Sequence, residues 1–214
     1  YGEAFDVSYS WTWMHKTEDF YKKQQPLDSL YDVLNRYDDL GDRTMRAWFT
    51  TNHDENSWNG TEYEKYGEMA KALAVFSFTW NGVPLLYSGQ ELGNTKRIKF
   101  FDKDTIVASA NAEMLTSFYK TLLSLKRNNP ALQAGDTTVK TYRVKTNEPK
   151  HVFAYLRRKE NREVLVVLNF SGEKNLRFDI TDDRVTGSYK NVFSGAANDF
   201  TREKSFEMQP WEYL

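Results

Sequence analysis

The sequence predicts two modules in series: parallel α/β units over residues 1–130 and an antiparallel β module over 131–214. Three observations carry that prediction. In the first part, short β-forming runs alternate with longer helical patterns, the order expected when helices join parallel strands. From about residue 131 only strand-like runs remain. Within that second part, a hairpin signal and further short strands recur at the spacing of a sandwich. No repeat or low-complexity linker separates the parts, so they are expected to pack directly together.

The elements follow in order. "AFDVSYSW" (4–11) reads as a strand, and "WTWMHKTEDFYKKQ" (11–24) as a helix. Pro26 introduces a second helix, "LDSLYDVLNRYDD", punctuated by Gly41-Asp42. "TMRAWFTT" (44–51) is the next strand. Thr61 and Glu64 have capping-box spacing. Tyr66, Met69, Ala70, Leu73, Phe76, Ser77 and Trp80 then share one face of a single long helix that ends at Asn81-Gly82. "VPLLYSG" (83–89) reads as a short buried strand, followed by a long irregular loop. Leu115, Phe118, Tyr119, Leu122 and Leu125 line the inner face of a last helix, stopped at Asn128-Asn129-Pro130.

In the second part, Val152, Ala154 and Leu156 alternate with Phe153 and Tyr155, and Val164, Val166, Leu168 and Phe170 answer them across a turn near Glu160-Asn161. Further strands are expected near 138–145, 175–180, 188–193 and 201–207, with "PWEYL" closing the chain.

The totals narrow the function. The 214 residues carry 29 basic and 30 acidic side chains, so no basic excess points to nucleic acid. No apolar stretch is long enough for a membrane span. Cysteine is absent, which excludes a disulfide framework, a zinc–thiolate site and a cysteine nucleophile. Aromatic residues make up 15%; such rings fill cores and also provide flat platforms for sugar rings. The chain opens without an initiator Met or a leader, so it is expected to begin inside a longer protein or after a removed leader. The compartment stays open.

"FTTNHDENSW" (49–58) concentrates polar residues where a β run stops. In parallel α/β barrels, chemistry sits on the loops at the carboxyl ends of strands. At such an end a carboxylate, Asp54, can stabilise a developing cation, and an imidazole, His53, can hydrogen-bond a hydroxyl. The plainer reading, in which Asp54 caps the next segment and His53 packs, is about as well supported by spacing alone.

The surroundings separate the two readings. "FTTNHD", a helix and then "NGVPLLYSGQELG" (81–93) resemble the α-amylase family, glycoside hydrolase family 13. There the first motif ends the seventh barrel strand and the second marks the eighth. "FFDKDTI" (100–106) is similar to the family's loop after the eighth strand. "LTSFYKTLLSLKRNNPALQAGD" (115–136) is similar to its last barrel helix running into the C-terminal β domain. "AFDVSYSWTWMH" (4–15) resembles its sixth strand and following helix. The resemblance covers nearly the whole chain, in the family's order.

The resemblance implies that residues 1–130 are the last three strand–helix units of a (β/α)8 barrel and that 131–214 are an antiparallel β-sandwich. Asp54 would be the third catalytic carboxylate, the transition-state stabiliser, and His53 would hydrogen-bond sugar hydroxyls. Such bonds strengthen in the oxocarbenium-like state of a retaining glycosidase. Asn52 belongs to the same substrate-binding motif, although shaping the turn is its better-supported role. Trp58 is a candidate stacking platform. Gln90 and Glu91 are expected to be structural groups near the site. Trp11 and Trp13 are expected in the core, and His15 and His151 show no metal-ligand spacing.

The family's nucleophilic Asp and acid/base Glu belong to earlier strands. Glu3 stands too close to the first strand to serve as the acid. A complete barrel takes about 250 residues, roughly twice what this chain provides. The expectation is therefore a C-terminal portion of a starch- or maltooligosaccharide-active enzyme, inactive by itself. Its partners would be an α-glucan, the missing N-terminal part of the same protein and, through exposed barrel edges, a second copy. No cofactor or metal is expected in this chain; the resemblance places the family's calcium sites largely in the upstream part of the parent, and calcium dependence stays open. The alternative is a carbohydrate-binding or non-catalytic scaffold module of the same ancestry, using Trp58 or Trp211 to bind glucan.

Overall fold

The computed structural model describes residues 4–38 and 45–214. The punctuating Gly41-Asp42 and Glu3 lie outside the described residues.

The first module is a parallel sheet ordered β1 (Val7–Tyr9), β2 (Met45–Trp48) and β3 (Val83–Pro84). Val7 is level with Met45 and Ala47 with Val83. Consecutive strands are therefore neighbours, as three successive units of a (β/α)8 barrel require. All three strands are shorter than expected. Ser10 leaves β1 early because its hydroxyl and its N–H both turn onto the Ala47 carbonyl, at 2.8 and 3.2 Å. Val83–Pro84 is only half-buried, not fully buried, since one edge lacks a neighbour among the described residues.

Helices α1 (Trp11–Lys23) and α2 (Asp28–Asp38) follow β1. After β2 the expected single helix is three: α3 (His53–Trp58), α4 (Glu62–Tyr66) and α5 (Met69–Thr79). The capping box at α4 is complete, with Thr61 N–H on Glu64 at 2.7 Å and Glu64 N–H on the Thr61 hydroxyl at 3.3 Å. The break behind it comes from Gly67, at φ +50°, where a Cβ would stand 2.1 Å from the Tyr21 hydroxyl on α1. No L side chain fits that approach, so the chain re-aims there. Helix α5 is buried on every side except at Lys71 rather than on one face, because sheet, helices and β module all close on it. Helix α6 (Ala112–Asn128) buries Leu115, Phe118, Tyr119 and Leu122, as its spacing predicts.

The second module is a sandwich. Strands β4 (Lys140–Arg143), β5 (Val152–Lys159) and β6 (Arg162–Asn169) form one antiparallel sheet. The turn at Glu160–Asn161 joins Lys159 to its partner Arg162. Opposite lie β7 (Leu176–Asp179) paired with β10 (Ser205–Met208), and the hairpin β8 (Ser188–Lys190) with β9 (Ala197–Asp199), whose second strand was not expected. The closing segment adds an antiparallel bridge from Tyr213 to Leu168.

Strict alternation puts two cores on one sheet. Val152, Ala154, Leu156 and Val167 face the second sheet with Phe178, Ile180, Val185 and Met208. Phe153, Tyr155, Val166, Leu168 and Phe170 face the helices and join Trp13, Trp48, Phe76 and Trp80. Tyr31 stacks on Phe153 at 5.1 Å, and Thr79 and Tyr155 share a hydroxyl hydrogen bond at 2.5 Å. Each such buried ring contributes about 1.5–3 kcal/mol. The modules thus share one core. Buried Arg157 also reaches across, donating to the Asn81 side chain at 3.5 Å as well as to the Ala131 carbonyl at 3.3 Å and to Thr141, and burial lowers its guanidinium to about 10.

Candidate active site

The carboxyl end of β2 runs directly into α3, so "NHDENSW" is a short helix and not a loop. Asn52 is its N-cap. Its Oδ1 accepts from the N–H groups of Asp54 at 3.0 Å and Glu55 at 2.9 Å. Two donors otherwise left over at a helix start are satisfied this way. Asn52 is buried at 1% exposure and sets the turn, the role its position in the motif favours. Its amide nitrogen and the Thr51 hydroxyl are buried without a hydrogen-bond partner among the described residues.

His53 and Asp54 occupy the first turn of α3. Their side chains stay open to solvent at 58% and 46% exposure, with Nε2 3.5 Å from Asp54 Oδ2. The next residue, Glu55, turns inward and pairs with fully buried Lys65 on α4 while accepting from Asn59 at 3.0 Å. Two adjacent carboxylates thus have opposite surroundings: Glu55 locks the helix to its support, and Asp54 is presented.

Below this turn a buried network joins the strand ends. The Glu62 carboxyl accepts from the Thr50 hydroxyl at 2.7 Å and from the Gln90 side-chain amide. Gln90 also donates to Thr50 at 2.8 Å and accepts from Tyr87 N–H at 2.7 Å. Burial pushes the Glu62 carboxyl up to about 7, against the lowering effect of the Thr50 and Gln90 bonds. Gln90 is therefore a strut between the ends of β2 and β3. Half-buried Glu91 accepts from Gly89 N–H at 3.0 Å, and its carbonyl holds Thr116 on α6 at 2.9 Å.

The loop after β3 returns to α3. Ile98 N–H donates to Asn56 at 2.8 Å, and Arg97 is bidentate on Glu64 at 3.0–3.1 Å. Lys96 and the loop's own N–H groups hold Asp104 well below the usual carboxylate range. This brings Phe100 to 5.2 Å and Phe101 to 6.1 Å from the Trp58 ring. Sequence reasoning singled out Trp58 but missed both phenylalanines, whose only signal was an aromatic pair inside a polar loop. It also missed Glu62.

The remaining aromatics and histidines divide. Trp13 is core at 1% exposure. Trp11 is only half-buried, which departs from its expected core position; it packs on Phe49 at 5.3 Å and on His15 at 6.2 Å. His151 pairs with Glu148 at 3.1 Å. Trp211 is half-buried against Tyr21 at 5.3 Å. Among the described residues, no group of three or more His, Cys, Asp or Glu side chains converges as a metal site would need, and no helix is long and apolar enough to cross a membrane.

Comparison with known proteins fits this geometry. Residues 3–121 match the α-amylase catalytic domain family, and residues 142–210 match the α-amylase C-terminal all-β domain family. The chain is 38% identical over 127 residues to α-amylase MalA of Haloarcula japonica, covering 58% of this chain and 18% of that protein. A noncanonic maltogenic α-amylase, AmyB of Thermotoga neapolitana, superposes with a TM-score of 0.81 at 21% identity over 99% of this chain and 50% of its own. AmyP, solved in complex with maltose, superposes at 0.74 with 13% identity over 98% of this chain and 49% of its own. The chain therefore spans half or less of the length of these relatives. On the strength of both domain matches and a sheet that keeps the barrel's strand order, it belongs to the α-amylase family of glycoside hydrolases.

Proposed function

We propose that this chain is the C-terminal portion of a retaining glycoside hydrolase acting on starch or maltooligosaccharides. Asp54 is its transition-state-stabilising carboxylate. The observation that carries this reading is the exposed His53–Asp54 pair on the first turn of α3, at the carboxyl end of a parallel strand. A carboxylate fixed there supplies negative charge without reorganising as an oxocarbenium-like state develops. His53 hydrogen-bonds the hydroxyls of the ring being distorted. Trp58 stacks on a neighbouring ring, and Asn52, Gln90 and Glu91 hold the frame. That AmyP was solved with maltose supports an α-glucan as substrate.

In this reading the nucleophile and the acid/base come from barrel strands outside residues 1–214. Any calcium is held there too. The chain alone binds an oligosaccharide end and does not cleave it. The test is an assay of the chain on maltooligosaccharides of several lengths. Absence of turnover above a buffer blank is expected; steady release of maltose or glucose would refute the assignment.

A further inference from the structure

We propose, resting on the role given to Asp54 above, that Glu62 is the residue that positions it: a buried carboxyl group that ties the ends of β2 and β3 together while neutral and loosens them when it ionises.

Glu62 stands on α4, yet its carboxyl group lies between two strand ends. It accepts from the Thr50 hydroxyl at 2.7 Å, just past β2, and from the Gln90 side-chain amide on the turn after β3. Thr50 is two residues before Asn52, the cap whose side chain takes the Asp54 N–H at 3.0 Å. From the same helix, Lys65 reaches Glu55, the residue after Asp54. Helix α4 therefore grips the Asp54 turn on both sides, ahead of Asn52 through Glu62 and behind Asp54 through Lys65. Glu62 is 3% exposed and Lys65 0%. Further barrel strands packed beside β1 would add cover to these groups and remove none.

The surroundings make the charge state of Glu62 matter. Among the described residues no Lys, Arg or His pairs with it, and the buried cation on its own helix, Lys65, is committed to Glu55. Its hydrogen-bond donors are all neutral: Thr50, Gln90 and Tyr63. Tyr66 on α4 and Tyr119 on α6 also face it, and burial keeps the hydroxyls of all three tyrosines protonated above their ordinary range. Glu55 and Glu91, felt by the same tyrosines, are acids and offset nothing. Burial accordingly pushes the Glu62 carboxyl up to about 7. Ionisation there sets an unpaired charge between the two strand ends, a cost that is relieved when the site opens to water. The Asp54 turn then loses its support, and fixed direction is what a charge-stabilising group contributes.

The test is the pH dependence of kcat and KM for maltoheptaose hydrolysis, measured on the enzyme that joins this chain to its preceding barrel strands. Parent, Glu62→Gln and Glu62→Ala are compared. Glutamine keeps an oxygen acceptor for Thr50 and Gln90 and does not ionise. The parent kcat is expected to fall through pH 7, and Glu62→Gln to remove that fall, so that the ratio of kcat at pH 8 to kcat at pH 6 rises by about threefold or more. Glu62→Ala should lower kcat by about tenfold at every pH with KM within about twofold, because a misplaced transition-state group reads out in kcat. Where Glu62→Ala fails to fold, Glu62→Gln decides alone. Superimposable kcat profiles for parent and Glu62→Gln, with thermal midpoints that still diverge above pH 7, would leave Glu62 a structural acid only and overturn the proposal while the role of Asp54 stands. If Asp54→Asn leaves turnover unchanged at every pH, that role fails and the positioning fails with it.

Discussion

The Asn52 side chain accepts a hydrogen bond from the backbone N–H of Asp54, so the presented carboxylate is aimed by the residue that starts its helix. Asn52→Ala removes an N-cap and is expected to destabilise the chain by about 1–2 kcal/mol in urea titration. Asn52→Asp keeps an acceptor and should lose much less. Equal losses in the two variants would mean that the cap does not hold this turn.

Glu62 makes stability pH-dependent. Its folded value of about 7 stands above the value near 4.5 of an unperturbed glutamate. A raised acid binds more protons folded than unfolded. Its contribution is therefore complete below pH 4.5 and is lost as pH rises through 7. The shift corresponds to about 3 kcal/mol as an upper value. Denaturation midpoints of the parent chain and Glu62→Gln, taken from pH 5 to 9, should diverge on the alkaline side, with the parent losing ground. Parallel profiles would contradict the raised value.

The Glu55–Lys65 pair behind the site is buried at both ends. Lys65→Met leaves a carboxylate unpaired in the interior and is expected to cost about 3–5 kcal/mol, whereas Glu55→Gln with Lys65→Met should recover most of it. A double variant as unstable as the single one would show that the amine matters through packing against Met14, 3.6 Å away, rather than through charge.

Val7 and Tyr9 on β1 are exposed, as is Phe5 just before it, and the outer edge of β1 has no strand partner among the described residues. Open edges with apolar side chains pair with other chains. Light scattering at micromolar concentration is expected to give a mass above the 25.1 kDa monomer, reduced by Val7→Lys. A monodisperse monomer would contradict it.

Much of this was readable from residue order. The capping box at Thr61 and Glu64, the α6 face and the β5–β6 hairpin are local patterns, and they appear as read. Helix α3 was taken for a turn because six residues carry no apolar periodicity, although Asn52 with Glu55 three residues on has N-cap spacing. The break at Gly67 depends on Tyr21, which stands 46 residues earlier in the chain and reaches it only through tertiary packing. For the same reason the Glu62–Gln90 strut and the ring cluster were not legible: their members come from separate elements, brought together by a sheet and a loop that periodicity does not describe. The placement of His53 and Asp54 was legible because the two are adjacent in the chain at the end of a β run, and the structure leaves both side chains open there.

Asp54 is the residue on which the proposed activity depends most directly. In the enzyme that joins this chain to its preceding barrel strands, Asp54→Asn should lower kcat and kcat/KM together by about a hundredfold to a thousandfold or more, since an interaction confined to the transition state is lost. The Glu62 strut and the thermal midpoint should be unaffected. A variant that retains kcat within about threefold of the parent would contradict the central claim.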